Sequence, residues 1–164
     1  ALATPVFLSL YAENDLRLDK YFAETDEKGF RKNKKAGSNN YLCTFRVGEI
    51  YLTAAEAAAR LGELSQARTR LLELMRKRYA PEAYEAKSVV VNAMDKEALV
   101  QEILDERARE LAFEGHRWFD LRRSTRPRLE KVLDGTRYVL EENDARYTLA
   151  IPKEAIEANP GLLN

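Results

Sequence analysis

The chain has 164 residues, with 27 Lys and Arg against 27 Asp and Glu, 45% hydrophobic and 33% charged residues, and one cysteine. A chain of this length and apolar content can bury its own core, so wholesale disorder is excluded, and zero net charge offers no electrostatic case for nucleic acid. No run approaches the roughly 18 apolar residues of a membrane-spanning helix, and Cys43 alone makes neither an intrachain disulfide nor a thiolate zinc cluster.

Residues 1–45 are mixed; Asp26-Glu27-Lys28-Gly29 and Lys32-Asn33-Lys34-Lys35-Ala36-Gly37-Ser38-Asn39-Asn40 are polar and rich in turn formers, and the region reads as loops carrying one or two short elements. The cations Arg31, Lys32, Lys34 and Lys35 read as a solvated loop, because no aromatics interleave them. From Arg46 a helical hairpin is expected over residues 46–81. Val47, Ile50, Tyr51, Ala54, Ala57, Ala58 and Leu61 recur at three- and four-residue spacing and are predicted to face the core. Gly62 breaks that helix. Leu64, Ala67, Leu71, Leu74 and Met75 make the next stripe, which Pro81 is predicted to close.

Asp95 has the side chain of an N-cap, and Leu99, Val100, Ile103, Leu104, Ala108, Leu111 and Ala112 form the following stripe. Helices are expected over 95–123 with a bend at Gly115, then a short helix over Arg128–Leu133 before the turn at Asp134-Gly135. Tyr138–Leu140 with the alternating Tyr147, Leu149 and Ile151 predict a small β-hairpin in a terminal β/turn segment, residues 136–164. Pro152 opens a last helical turn, Lys153–Ala158. The fold class is mostly α, a tetratricopeptide-like hairpin plus further helices and a minor β-hairpin, in a single domain.

Arg107, Glu110 and Glu114 fall within or beside the apolar stripe of the 99–123 helix, where charges are costly unless paired. With Arg117 they are expected to form a partly buried ion-pair network, and Trp118 to be a core tryptophan beside it. A carboxylate metal site would draw on Glu106, Glu110, Glu114 and His116. His116 is the one histidine and lies two residues from Glu114, about 200° away around a helix, so no metal is assigned. There is no Gly-x-Ser-x-Gly elbow, no glycine-rich phosphate loop and no nucleophile context at Cys43, so neither catalytic residues nor a cofactor is assigned.

Glu106-Arg-Ala-Arg-Glu-Leu-Ala-Phe-Glu-Gly-His-Arg-Trp-Phe-Asp-Leu-Arg-Arg123 strongly resembles the C-terminal signature of the SusD/RagB family. Arg46-Val-Gly-Glu-Ile-Tyr-Leu-Thr-Ala-Ala-Glu-Ala57 is similar to that family's Arg-x-x-Glu-x-Tyr-Leu-x-x-Ala-Glu-Ala helix, with Gly48 where Ala is commoner. Leu149-Ala-Ile-Pro152 with Asn159-Pro160 resembles its terminal segment, and Asp15-Leu16-Arg17 with Tyr21 its Asp-x-Arg element. The resemblance covers only the C-terminal part of the family. Together with the missing Met and a single Leu61-Gly62…Ala67…Pro81 repeat, where about three are needed for a stable stack, it implies a piece of a longer helical protein.

The resemblance further implies a non-catalytic nutrient-binding function. The full protein would be a cell-surface lipoprotein of the outer membrane, anchored through its N-terminal part, while this piece is soluble. It would capture an oligosaccharide, or a peptide as RagB-like relatives do, and would act with a SusC-like TonB-dependent transporter. A helical protein–protein scaffold is the alternative. The matched motifs are scaffold, so no binding residue is transferred. Tyr11, Tyr21, Phe22 and Tyr41 are the candidate ligand-binding rings, because they lie in or near the irregular segment.

Overall fold

The computed structural model describes residues 1–35, 46–133, 135–159 and 161. They form two compact units, Ala1–Arg117 and Trp118–Asn164.

The first unit opens with short elements: β1 (Leu2–Ala3), α1 (Pro5–Leu8), α2 (Arg17–Tyr21), β2 (Phe22–Thr25) and β3 (Arg31–Asn33). The strands make an antiparallel sheet in the order β1-β3-β2. The expected turn at Asp26 closes β2 on β3. The Asp26 carboxylate accepts from the backbone N–H of Lys28 at 3.0 Å and of Phe30 at 2.8 Å, an Asx-type turn that Gly29 completes at φ +80°.

Helices α3 (Val47–Leu61) and α4 (Leu64–Met75) form the expected hairpin, with Gly62 as its left-handed cap at φ +86°. Pro81 does not end the fold's helical run but starts another helix, α5 (Pro81–Ala93), from its first turn. Proline suits that position because its missing N–H has no partner there anyway. The helix leaves no clear stripe in the sequence, since Val89 and Val90 stay exposed and Val91 is its one buried residue. Helix α6 (Lys96–Glu110) begins as expected, the Asp95 carboxylate accepting from Ala98 N–H at 2.9 Å.

Helix α3 packs on both α4 and α6, and Leu52, Ala55, Ala59, Ala67, Leu71, Met75, Leu99 and Ile103 form the core between them. The buried face of α3 overlaps the predicted stripe at Ala58, which is buried, and Tyr51, which packs against the core, but is otherwise turned from it. Gly48, Leu52, Ala55, Glu56, Ala58 and Ala59 point inward, while Val47, Ile50, Ala57 and Leu61 are exposed. So many alanines make the helix apolar around most of its girth, and periodicity alone selects the wrong side.

Helix α6 stops at Glu110, and the chain turns through Phe113 (φ +63°) and Gly115 (φ +84°) before α7 (His116–Arg123). The bend at Gly115 was legible; the earlier stop was not. Lys35 and Arg46 cause it in part, donating to the terminal carbonyl of Glu110 at 2.5 and 3.1 Å.

The second unit holds the rest of α7, then strands β4 (Leu129–Leu133) and β5 (Thr136–Leu140), a 3-10 turn (Ala145–Tyr147) and α8 (Lys153–Ala158). The hairpin exists, but its partners differ from those predicted. Residues 129–133 are a strand, not a helix, paired with 136–140 around Gly135 at φ +76°. Leu129, Val132 and Leu133 have helical spacing by accident. Tyr147 lies in the 3-10 turn instead of a strand, with Leu149 and Ile151 exposed beyond it.

Candidate functional site

Asp15, Arg17, Glu106, Arg109 and Glu110 are buried together in the first unit. On α6, positions 102, 106, 109 and 110 share one flank, because residues three and four apart are neighbours on a helix. Arg17, at the start of α2, reaches into that flank. Its guanidinium grips Asp15 with two parallel bonds of 2.9 and 2.8 Å and donates to Glu106 at 2.7 Å and Glu110 at 3.1 Å. It also donates to the Tyr79 hydroxyl at 3.1 Å, which in turn donates to Glu106 at 3.2 Å. The rings of Tyr11 and Tyr79 lie 5.8 and 5.3 Å from the guanidinium carbon.

Glu110 is the hub. Arg46 donates to it at 2.6 Å and Arg78 at 2.7 and 2.8 Å. Glu114 pairs with Arg46 and Lys35, and Arg109 bridges Glu102 and Glu106 at 2.6 and 2.8 Å. Asp15, Glu102, Glu106, Glu110 and Glu114 are thus balanced by Arg17, Lys35, Arg46, Arg78 and Arg109.

Burial pushes the Glu110 carboxyl up, but the bonds and charges of Arg78, Arg17 and Arg46 outweigh it and hold the group at about 2. Burial likewise opposes ionisation of Glu106, and Arg17 and Arg109 overcome it, leaving that carboxyl below the ordinary range. Burial lowers Lys35, with Glu114 acting against it. Both central acids are therefore locked as carboxylates with their oxygens engaged by cations. Such a cluster fixes chain segments in place and leaves Glu106 and Glu110 no proton to exchange near neutral pH.

The sequence groups Arg107, Glu110, Glu114 and Arg117, and the cluster just described is built differently. Glu110 and Glu114 belong to it. Arg107 donates to the Thr53 hydroxyl on α3 at 3.2 Å, and Arg117 to the carbonyl of Leu104 at 3.5 Å. Of the neutralising cations, Arg109 lies on α6 itself, three residues from Glu106, whereas Arg17, Lys35, Arg46 and Arg78 lie far away in sequence, where helical angles on one segment cannot reveal them. His116 Nδ1 lies 3.7 Å from Glu49 Oε1. Trp118 stacks on Tyr147 within the second unit, ring centroids 5.1 Å apart and nearly parallel at 10°.

The candidate sugar-stacking rings separate. Tyr11 and Phe22 are buried, packed edge to face with each other at 5.5 Å and against Phe7. Tyr11 also donates to the Arg109 carbonyl at 2.7 Å. Neither presents a ring face to a ligand, because the short β-sheet and α1 close over them as a small core. Tyr21 is half-buried with Lys35 4.4 Å over its ring, and Tyr41 lies outside the described residues. Among the described residues, the rings that stand exposed are Phe113, Phe119 and Tyr138. Phe119 and Tyr138 lie in the second unit, away from the segment where the sequence suggested looking.

A model of the SusD family matches residues 7–164. The chain belongs to the SusD family. It is similar to the SusD-like protein P38 of Formosa agariphila, 31% identical over 115 residues that make up 70% of this chain and 22% of that relative. Its fold is also that of a SusD-like carbohydrate binding protein from Bacteroides vulgatus. That crystal structure has a TM-score of 0.63 and 20% identity, over 96% of this chain and 40% of the other. The chain therefore spans less than half the length of either relative.

In this SusD-family chain, three of the signature-like segments meet at one place. Asp15 and Arg17 come from the first, Arg46 from the second, and Glu106, Arg109, Glu110 and Glu114 from the third. Gly48 belongs there too. A Cβ on it would stand 2.8 Å from the Glu110 carboxylate oxygen that Arg46 and Arg78 pin. Gly48→Ala in an open helix would stabilise by about 1 kcal/mol. Here we expect a loss of about 1–3 kcal/mol in urea unfolding, because the pinned carboxylate cannot retreat. A stabilised variant would mean that the contact is loose.

Proposed function

We propose that the chain is the C-terminal part of a non-catalytic nutrient-binding lipoprotein of the outer membrane, which captures a glycan and passes it to a SusC-like TonB-dependent transporter. The observation that carries this reading is the family match across residues 7–164. The Bacteroides vulgatus neighbour is a carbohydrate binding protein, which supports a sugar over a peptide as cargo. The buried cluster supports the non-catalytic part, since its central acids are committed to arginines as structural counter-ions. In this reading Glu106 and Glu110 hold the scaffold, and the ligand is met by other surfaces of the longer protein.

Calorimetric titration of the longer protein with a panel of oligosaccharides and with peptides tests it. Saturable heat from a glycan, with no reducing ends released above blank, is the expected result. Heat from peptides alone would assign the RagB-like cargo. Reducing-end release that disappears on changing one carboxylate would overturn the non-catalytic reading. Chelation with EDTA is expected to leave the melting temperature unchanged, and a fall of several degrees would reveal a structural metal.

A further inference from the structure

We propose that one face of the β4–β5 hairpin binds an acidic saccharide unit, with Tyr138 stacking on its pyranose ring and Lys131 meeting its carboxylate or sulfate. The inference rests on the glycan-binding reading above and deepens it by naming the class of sugar.

Successive side chains of a strand point to opposite faces, so the register divides the hairpin in two. Leu129, Lys131 and Leu133 share one face with Thr136, Tyr138 and Leu140, while Glu130 and Arg137 lie on the other. The two faces treat charge differently. Glu130 accepts from Arg128 at 3.0 Å and from Arg137 on the opposite strand at 2.7 Å, so the charges of its face are committed to one another. These bonds also tie the strands together and hold the other face in register. There Lys131 is the one charged residue, and its ammonium has no hydrogen-bond or ion-pair partner among the described residues.

Tyr138 stands directly across from Lys131 in the ladder, which sets their Cβ atoms about 4.5–5.5 Å apart. The tyrosine is 56% exposed, and Lys131 is exposed beside it. Thr136, also exposed, lies two residues from Tyr138 on the same face. An open aromatic ring offers an apolar surface to the C–H groups of a pyranose while its hydroxyl stays in water. A lone ammonium next to that ring is a point charge suited to an anionic oxygen. The Thr136 hydroxyl both donates and accepts, as a sugar hydroxyl requires. A neutral sugar would use the ring and leave the cation unmatched. Charge complementarity therefore selects a sugar that carries an anion.

Calorimetric titration of the longer protein tests the proposal. Oligogalacturonate is the carboxylated probe, sulfated galactan oligosaccharides are the sulfated one, and neutral galactan oligosaccharides are the reference. We expect Lys131→Gln to weaken an acidic probe about fivefold and to leave the neutral reference unchanged. Tyr138→Ala should weaken the same probe by about five- to tenfold, and Tyr138→Phe should restore it. Arg137→Gln removes an equal charge from the opposite face and should change neither. The acidic probe that shows these losses assigns carboxylate or sulfate. Melting temperatures show that each variant is folded, and Lys131→Gln decides the matter should Tyr138→Ala unfold the hairpin. Unaltered affinity in Lys131→Gln, or equal losses from Lys131→Gln and Arg137→Gln, would overturn the proposal and leave the glycan-binding reading standing. Binding of the neutral oligosaccharide alone would do the same. Binding of peptides alone, or of no oligosaccharide, would overturn both.

Discussion

Glu110→Ala should lower the unfolding free energy by about 3–5 kcal/mol, because it takes from three arginines the buried carboxylate they share and leaves the cluster with one uncompensated positive charge. Arg17 keeps Asp15 and Glu106 and Arg46 keeps Glu114, so Arg78, which gives both of its carboxylate bonds to Glu110, loses most. Against a total stability of about 5–15 kcal/mol, the loss would shift the urea midpoint strongly. Glu73→Ala is the comparison. That acid pairs with Arg70 one turn away on α4, both partners nearly half exposed, and its removal should stay within about 0.5 kcal/mol. Glu114→Ala should fall between, at about 1–2 kcal/mol, since Arg46 keeps Glu110 and Lys35 keeps the carbonyls of Glu110 and Ala112. Glu102 cannot serve as a neutral reference, although its sequence position suggests an outward face: it holds Arg109 at 2.6 Å and lies 3.8 Å from Lys87. Equal small effects from Glu110→Ala and Glu73→Ala would show that the cluster does not carry the fold.

Acid should unfold the protein through the same carboxylate. The folded chain holds Glu110 near 2, against an ordinary value of 4.5, so the native state resists its protonation. A group depressed on folding contributes stability that is complete above its unfolded value and is lost as pH falls toward its folded one. The window is therefore about pH 4.5 down to about 2, and the loss is about 3 kcal/mol at about 1.4 kcal/mol per tenfold change. Glu106, also held low, adds in the same direction. Unfolding free energies at neutral pH and across that window measure the slope. Glu110→Gln should be less stable at neutrality yet lose clearly less on acidification. A variant with the wild-type slope would place the acid sensitivity elsewhere.

Much of the architecture was legible because it is set within a few residues. The stripe Leu64, Ala67, Leu71, Leu74 and Met75, the left-handed stop at Gly62, the cap at Asp95 and the turn at Asp26 all depend on contacts no more than one helical turn away. The family resemblance was legible for a related reason: its segments are contiguous strings whose order survives without any knowledge of space. The sequence also identified Glu110 and Glu114 as charges on a face that should be apolar, which required partners without naming them.

The partners were a matter of tertiary structure. Arg17 meets Glu106 and Glu110 across 89 and 93 residues of chain, Arg46 meets Glu110 across 64, and no periodicity links positions so far apart. The same limit explains the other departures. Leu129, Val132 and Leu133 fit a helix until a strand beyond Gly135 offers its backbone hydrogen bonds, and α5 shows one buried valine because few of its side chains meet the core. Tyr11 and Phe22 look available in an irregular stretch until β1, β3 and α1 close over them. Helix α3 is the clearest case. Its sequence determines that it is a helix and that it is apolar on two sides; only the packing of α4 and α6 decides which side is core, because burial is settled by what lies opposite and not by the residue itself.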